Sequence, residues 1–225
     1  MIDWNQIDTV LLDMDGTLLD LYFDNHFWLE YLPQHFAKLN DINLDDAKAQ
    51  LFEQFKLHQG TLNWYCLDFW SNELKFDVAQ LKNDVRHLIA TRPYAAEFVE
   101  NIRNSGRRTL LVTNAHRKAL ELKIQETGID IHFDTMISSH DYGLPKEEPL
   151  FWDVLAREAP YREKTTLLID DSLPVLRAAV AAGIGHTLAI LRPDSKQPPK
   201  DTEDFVALDC FSSIMPPPLN QPILV

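Results

Sequence analysis

The chain has 225 residues, 45% of them hydrophobic and 24% charged, with a formal net charge of -13. This length suits one sizeable core with a modest inserted subdomain, and the composition is that of an ordinary globular protein. An acidic surface repels nucleic-acid phosphates, no apolar run is long enough for a bilayer, and residues 1–6 carry no secretory leader pattern. The expectation is a cytoplasmic protein with neither nucleic-acid nor membrane partners.

The first element is decisive. Residues 10–12 (Val-Leu-Leu) form a continuously apolar run followed at once by Asp13-Met14-Asp15-Gly16-Thr17. This reads as a strand buried on both faces and then a break. Side chains alternate along an extended segment, so Asp13 and Asp15 point the same way at the strand's carboxyl end, where open α/β sheets bind ligands. Two carboxylates in one crevice repel each other unless one is protonated or a cation lies between them, which calls for a hard metal such as Mg2+. A calcium loop does not fit, because its twelfth position, counted from Asp13, is Asp24 and the intervening slots hold Thr17, Leu19 and Leu21.

Residues 21–91 contain 13 of the 23 aromatic residues, one glycine (Gly60) and one proline (Pro33). Apolar residues recur at helical spacing after Asp24 (Phe27, Trp28, Tyr31, Leu32), after Asn43 (Ala47, Leu51, Phe52, Phe55) and after Asp77 (Val78, Leu81, Val85, Leu88, Ile89). Thr61 can cap a further helix over 62–74. The expectation is an insertion of about four helices.

From Arg92 onward the pattern alternates. Helices are expected over 95–104, 118–126, 148–157 and 172–182, with stops at Gly106, Gly128 and Gly183; strands are expected over 109–112, 135–138, 165–169 and 186–191. Such alternation builds a parallel sheet with helices on both faces. The segment 192–225 holds seven of the 13 prolines and reads as an irregular tail around a short apolar piece, with no chemistry assigned to it.

Three more polar features follow strands. Thr113 and Asn114 offer a hydroxyl, an amide and backbone N–H groups to phosphate oxygens, Lys146 offers a point charge, and Asp170-Asp171-Ser172 brings a second carboxylate pair. Cys66 and Cys210 match no metal or redox spacing and read as buried free thiols, and the eight histidines show no ligand spacing.

The ordered set Asp13-Met14-Asp15-Gly16-Thr17, Thr113-Asn114, Lys146 and Asp170-Asp171 resembles the phosphatase branch of the haloacid dehalogenase superfamily. The resemblance implies an α/β fold, a three-layer Rossmann-like parallel sheet with an inserted all-helical cap. Residues 1–20 and 92–225 would form the core and 21–91 the cap. It also implies that Asp13 is the nucleophile and Asp15 the acid and base. Asp13, Asp15 (through its carbonyl), Asp171 and Asp170 would surround Mg2+, while Thr113, Asn114 and Lys146 would hold phosphate. Dehalogenases of the superfamily lack the second Asp of the first motif, so this form implies phosphate chemistry. Lys146 is followed by Glu147 where many relatives have Pro.

The stretches 20–25, 61–70 and 142–147 are similar to the bacterial GMP/IMP nucleotidases of the superfamily. They imply a small phosphorylated metabolite as substrate, a purine nucleoside monophosphate, with Asp20, Asn25, Asn63, Trp64 and Asp68 as substrate candidates in the cap. Trp64, Phe69 and Trp70 equally suit the packing of the cap itself. Asp20 suits either a hinge or a helix cap. Sugar phosphates, phosphoglycolate, a mutase reaction and a non-catalytic binding module are the alternative readings, and monomer and dimer are both open.

Overall fold

A computed structural model describes residues 2–217. Six strands form one sheet in the order β3-β2-β1-β4-β5-β6, every pair parallel. They are β1 (Thr9–Leu12), β2 (Arg108–Thr113), β3 (Thr135–Ser138), β4 (Thr166–Asp170), β5 (His186–Ile190) and β6 (Ala207–Leu208). β1 lies at the centre, with Leu11 opposite Leu110 on one side and Leu168 on the other. All four residues of β1 and all five of β4 are buried, so both faces of these strands are covered.

Two apolar layers cover those faces. Leu11, Leu110 and Leu168 pack with Phe151, Trp152 and Leu155 of α9 (Pro149–Glu158) and with Val175, Leu176 and Ala179 of α10 (Leu173–Ala181). Val10, Leu12, Leu111 and Ile169 pack with Phe98, Val99 and Ile102 of α7 (Ala95–Asn104) and Leu120 of α8 (Arg117–Thr127). Gly128, with φ of 63°, ends α8, as its position in the sequence predicts.

Between β1 and α7 stand six α-helices, where about four were expected. α1 (Tyr22–His26), a π-helical turn at Phe27–Tyr31 and α2 (Leu32–Asn40) run on without a break. α3 (Leu44–His58) is capped by Asn43, whose Oδ1 accepts the Asp46 N–H at 2.8 Å, and α6 (Val78–Asn83) is capped in the same way by Asp77. The chain leaves and re-enters the sheet domain side by side: the Asp20 N–H bonds the Ala90 carbonyl and the Arg92 N–H bonds the Leu18 carbonyl.

Two expectations are corrected. The helix expected over 62–74 is broken at Cys66 into α4 (Leu62–Tyr65) and α5 (Leu67–Leu74), because Cys66 is extended and its sulfur accepts the Phe69 N–H. A thiol capping a helix leaves no ordinary capping signal in the sequence. The tail is not merely irregular: it supplies β6, and Phe211 is buried against Phe98 with ring centroids 4.7 Å apart. Residues 218–225 of that tail lie outside the described residues. Ser172 precedes α10 without capping it through its hydroxyl, and its N–H bonds Asp170 Oδ1 at 2.8 Å.

Candidate active site

β1, β2 and β4 deliver their polar residues to one cavity of about 330 Å³, lined by Asp13, Asp15, Thr113, Asn114, Lys146, Asp170 and Asp171 on the sheet side. The helical insert closes it with Leu21, Trp28, Phe55, Trp64 and Trp70. That volume is typical of a small-molecule site.

Lys146 is the centre of the sheet side. Its Nζ donates to Asp13 Oδ1 at 2.6 Å, Asp170 Oδ2 at 2.7 Å and the Val112 carbonyl at 2.9 Å, and the side chain is 2% exposed. All three ammonium protons are thus engaged, and the lysine orients the two carboxylates as well as carrying charge. The Asn114 side chain accepts the Lys146 N–H at 2.9 Å and donates to Glu147 Oε2 at 2.9 Å. The Thr113 hydroxyl accepts the Ala115 N–H at 3.0 Å, which leaves its proton to donate.

Burial comes first in pushing the Asp13, Asp15 and Asp171 carboxyls up to about 6 from the ordinary value of 3.8; neighbouring carboxylates add to the rise and lysines oppose it. Asp170 is raised for the same reasons. In Lys146 burial acts downward, but Asp13 and Asp170 outweigh it and raise the group.

Oxygens of Asp13, Asp170 and Asp171 lie within 4.8 Å of one another. Five carboxylates line the cavity against three lysines, Lys82, Lys123 and Lys146. An all-oxygen, negatively charged donor set of this kind fits a divalent metal, Mg2+ among them. Without a cation, the raised carboxyls stabilise the fold fully below their ordinary value, and that stability is lost as pH rises from about 4 through about 6. Mg2+ should therefore raise the melting temperature more at pH 7.5 than at pH 5, which thermal unfolding with and without the ion checks.

Gly16 carries the chain past this cluster with φ of 78°, and a Cβ there would stand 2.9 Å from Asp171 Cγ. Both the backbone region and the contact exclude a side chain. Gly16→Ala is expected to destabilise by about 1–3 kcal/mol and to weaken Mg2+ binding, readable by urea unfolding and metal titration.

A second buried network was not apparent in the sequence. Lys123 of α8 donates to Asp15 Oδ1 and to Asp24 Oδ2, each at 2.6 Å, and Lys82 of α6 donates to Asp24 Oδ1 at 2.7 Å. Both lysine side chains are 2% exposed. Burial would raise Asp24, but the two ammonium groups hold it far below the ordinary carboxylate range. The chain Asp15-Lys123-Asp24-Lys82 thus ties the DxD loop to two helices of the insert. Tyr65 makes another link, donating to Glu147 Oε1 at 2.6 Å; burial and then the Glu147 charge raise its phenol strongly.

The substrate candidates of the insert separate. Asn25 and Trp64 line the cavity, although the Asn25 amide donates to Asp194 Oδ2 at 2.7 Å. Asn63 is exposed and outside the lining. Asp68 is also outside it, paired with Lys118 at 2.5 Å across the junction of insert and sheet domain. Asp20 stands outside it as well, accepting the N–H groups of Tyr22 and Ser195, each at 3.0 Å, so it both closes the turn into α1 and holds the loop after β5. That loop belongs to the segment read as a tail without chemistry. It also brings Lys200 to 3.7 Å from Asp171 Oδ2.

Comparison with known proteins gives the family. The family model of haloacid dehalogenase-like hydrolases matches residues 7–183. The GMP/IMP nucleotidase YrfG of Escherichia coli (strain K12) is 38% identical over 215 residues, covering 96% of this chain and 97% of that protein, and the protein of that name from Shigella flexneri matches equally. Among solved structures, a HAD phosphatase from Thermococcus onnurineus superposes with a TM-score of 0.75 at 19% identity, covering 92% of this chain and 95% of that one. An L-2-haloacid dehalogenase from Xanthobacter autotrophicus superposes at 0.63 with 14% identity, covering 92% and 96%. At those identities the two structures speak for the fold alone.

Proposed function

The chain belongs to the haloacid dehalogenase-like hydrolase family, and from that premise we propose that it is a Mg2+-dependent phosphatase that hydrolyses purine nucleoside 5'-monophosphates, GMP and IMP first among them. The observation that carries this reading is a single cavity with a carboxylate and lysine floor under an aromatic roof. The floor suits a phosphate with a cation, and the indoles of Trp28 and Trp64 suit a planar base. Residues 21–91 act as the cap that completes the site.

In the proposed reaction Lys146 fixes Asp13 through Oδ1, and the carboxylate attacks phosphorus to give an aspartyl phosphate. Asp15 is the proton carrier. Its raised carboxyl gives a proton to the departing nucleoside oxygen, then takes one from the water that attacks the aspartyl phosphate. That second attack breaks the bond between phosphorus and Asp13 and releases inorganic phosphate. Thr113 and the turn at Asn114 hold phosphate oxygens. Bound by Asp13, Asp170 and Asp171, Mg2+ would supply the positive charge that lets an anionic phosphate approach an anionic nucleophile.

Lys123 tunes Asp15, because its charge opposes the effect of burial. Lys123→Met is expected to raise the Asp15 pKa further and to lower kcat by about 10–100-fold, moving upward the alkaline limb of the kcat/KM profile, which reports Asp15 as proton donor. An unshifted limb would mean that Lys123 has only a structural role.

The function is tested by phosphate release from GMP, IMP, AMP, pyrimidine monophosphates and sugar phosphates, with Mg2+ or with a chelator. Fast, Mg2+-dependent release from GMP and IMP is expected. Release confined to sugar phosphates would keep the chemistry and overturn the purine assignment.

A further inference from the structure

Three residues that sequence spacing leaves as a free thiol and two isolated histidines meet at the junction of the helical insert and the sheet domain. Cys66 stands at the break between α4 and α5, His116 just before α8, and His140 in the turn after β3. One ligand atom of each lies within 4.8 Å of the others. The two imidazoles stand edge to face with centroids 5.0 Å apart.

The details of the cluster point toward a ligand. Nε2 of His140 is buried and has no hydrogen-bond partner, which is costly for a polar atom unless something binds it. His116 receives the Lys118 N–H on Nδ1 at 3.4 Å, so its orientation is set from behind, and Nε2 faces Asp68 Oδ2 at 3.7 Å. Nδ1 accepts that N–H, so the ring proton of neutral His116 lies on Nε2, and a cation bound at Nε2 moves it to Nδ1 at the expense of this long bond.

We propose that Cys66, His116 and His140 form a binding site for one borderline-soft divalent cation, Zn2+ being the best match, which braces the helical insert against the sheet domain. One sulfur and two imidazoles are a zinc-type donor set, unlike the all-oxygen set of Asp13, Asp170 and Asp171. Tetrahedral ligands at ~2.0–2.3 Å from zinc lie roughly 3.5 Å apart, so the three atoms need to draw in by no more than about 1.3 Å. The fourth position falls to water or to Asp68. Binding requires the thiolate, so the thiol proton is released to solvent as the metal–sulfur bond forms. His116 also lines the catalytic cavity, but none of the three ligands has a role in the proposed hydrolysis, and the test does not depend on that reading.

The test is titration of the full chain with Co2+ in saturating Mg2+, followed by displacement with Zn2+. Expected are one equivalent of Co2+ with a thiolate-to-metal charge-transfer band, its loss on adding Zn2+, and a higher melting temperature in Zn2+. Cys66→Ser should abolish the band, Cys66→Ser and His140→Ala should each weaken Zn2+ binding by more than about tenfold, and Cys210→Ser should change neither. Absence of the band in the native chain, its survival in Cys66→Ser, or unchanged Zn2+ affinity in His140→Ala would overturn the proposal. The first arm uses the native chain, so a misfolded variant cannot rescue it.

Discussion

Asp13→Asn is expected to abolish phosphate release from every nucleotide, lowering kcat by at least about 10^4-fold, while the chain remains folded. The amide keeps the shape of the carboxylate and its oxygen still accepts a hydrogen bond from Lys146, which also retains Asp170 and the Val112 carbonyl. What is lost is the charge that attacks phosphorus in the proposed reaction. The substitution also relieves repulsion within the cluster of Asp13, Asp170 and Asp171, so the melting temperature in the absence of Mg2+ should not fall. Steady-state kinetics beside thermal unfolding separate the two effects. Turnover by the Asp13→Asn chain within tenfold of the native rate would remove Asp13 from the role of nucleophile.

Lys146→Met has the opposite profile, with stability lost as well as activity. Methionine fills much of the same volume but leaves Asp13 and Asp170 buried together without the ammonium group between them. Removing one partner of a buried ionic cluster costs about 3–5 kcal/mol. The sign with pH follows from the lysine's action on Asp13, which is downward. Without it both carboxyls rise further, so the penalty is largest near neutral pH and relaxes as acid protonates them. Urea unfolding at pH 7.5 and at pH 5 should show a clearly larger deficit at the higher pH, and Mg2+ should recover part of it. An equal deficit at both values would mean that the lysine acts by packing alone.

The sheet and the floor of the site were legible in the sequence for a physical reason. Strands buried on both faces must be continuously apolar, and Val10 to Leu12, Leu110 to Val112 and Leu167 to Ile169 are. Each run ends in polar residues, so Asp13, Thr113 and Asp170 fall at the same end of a parallel sheet. The buried lysines were harder to see, because a charged residue on a helix ordinarily faces water. Yet a signal exists: Lys123 is four residues from Ala119 and three from Leu120, and Lys82 is four from Val78, so both stand on the buried faces of their helices. A lysine in that position has to find carboxylates within its reach, and the half-buried Asp15 and Asp24 are those carboxylates. The contacts of Glu147 with Tyr65, of Asn25 with Asp194 and of Cys66 with two histidines join residues distant in sequence, and no local spacing encodes them.

The most direct test of the account is acid quenching of the native chain during turnover of 5'-GMP labelled in its phosphate, with Mg2+ present, followed by mapping of the protein-bound label. Label is expected on Asp13, absent from the Asp13→Asn chain and absent when Mg2+ is removed. Phosphate released from GMP without label on Asp13 at any time point would contradict the covalent mechanism, and no release at all would contradict the assignment of the site.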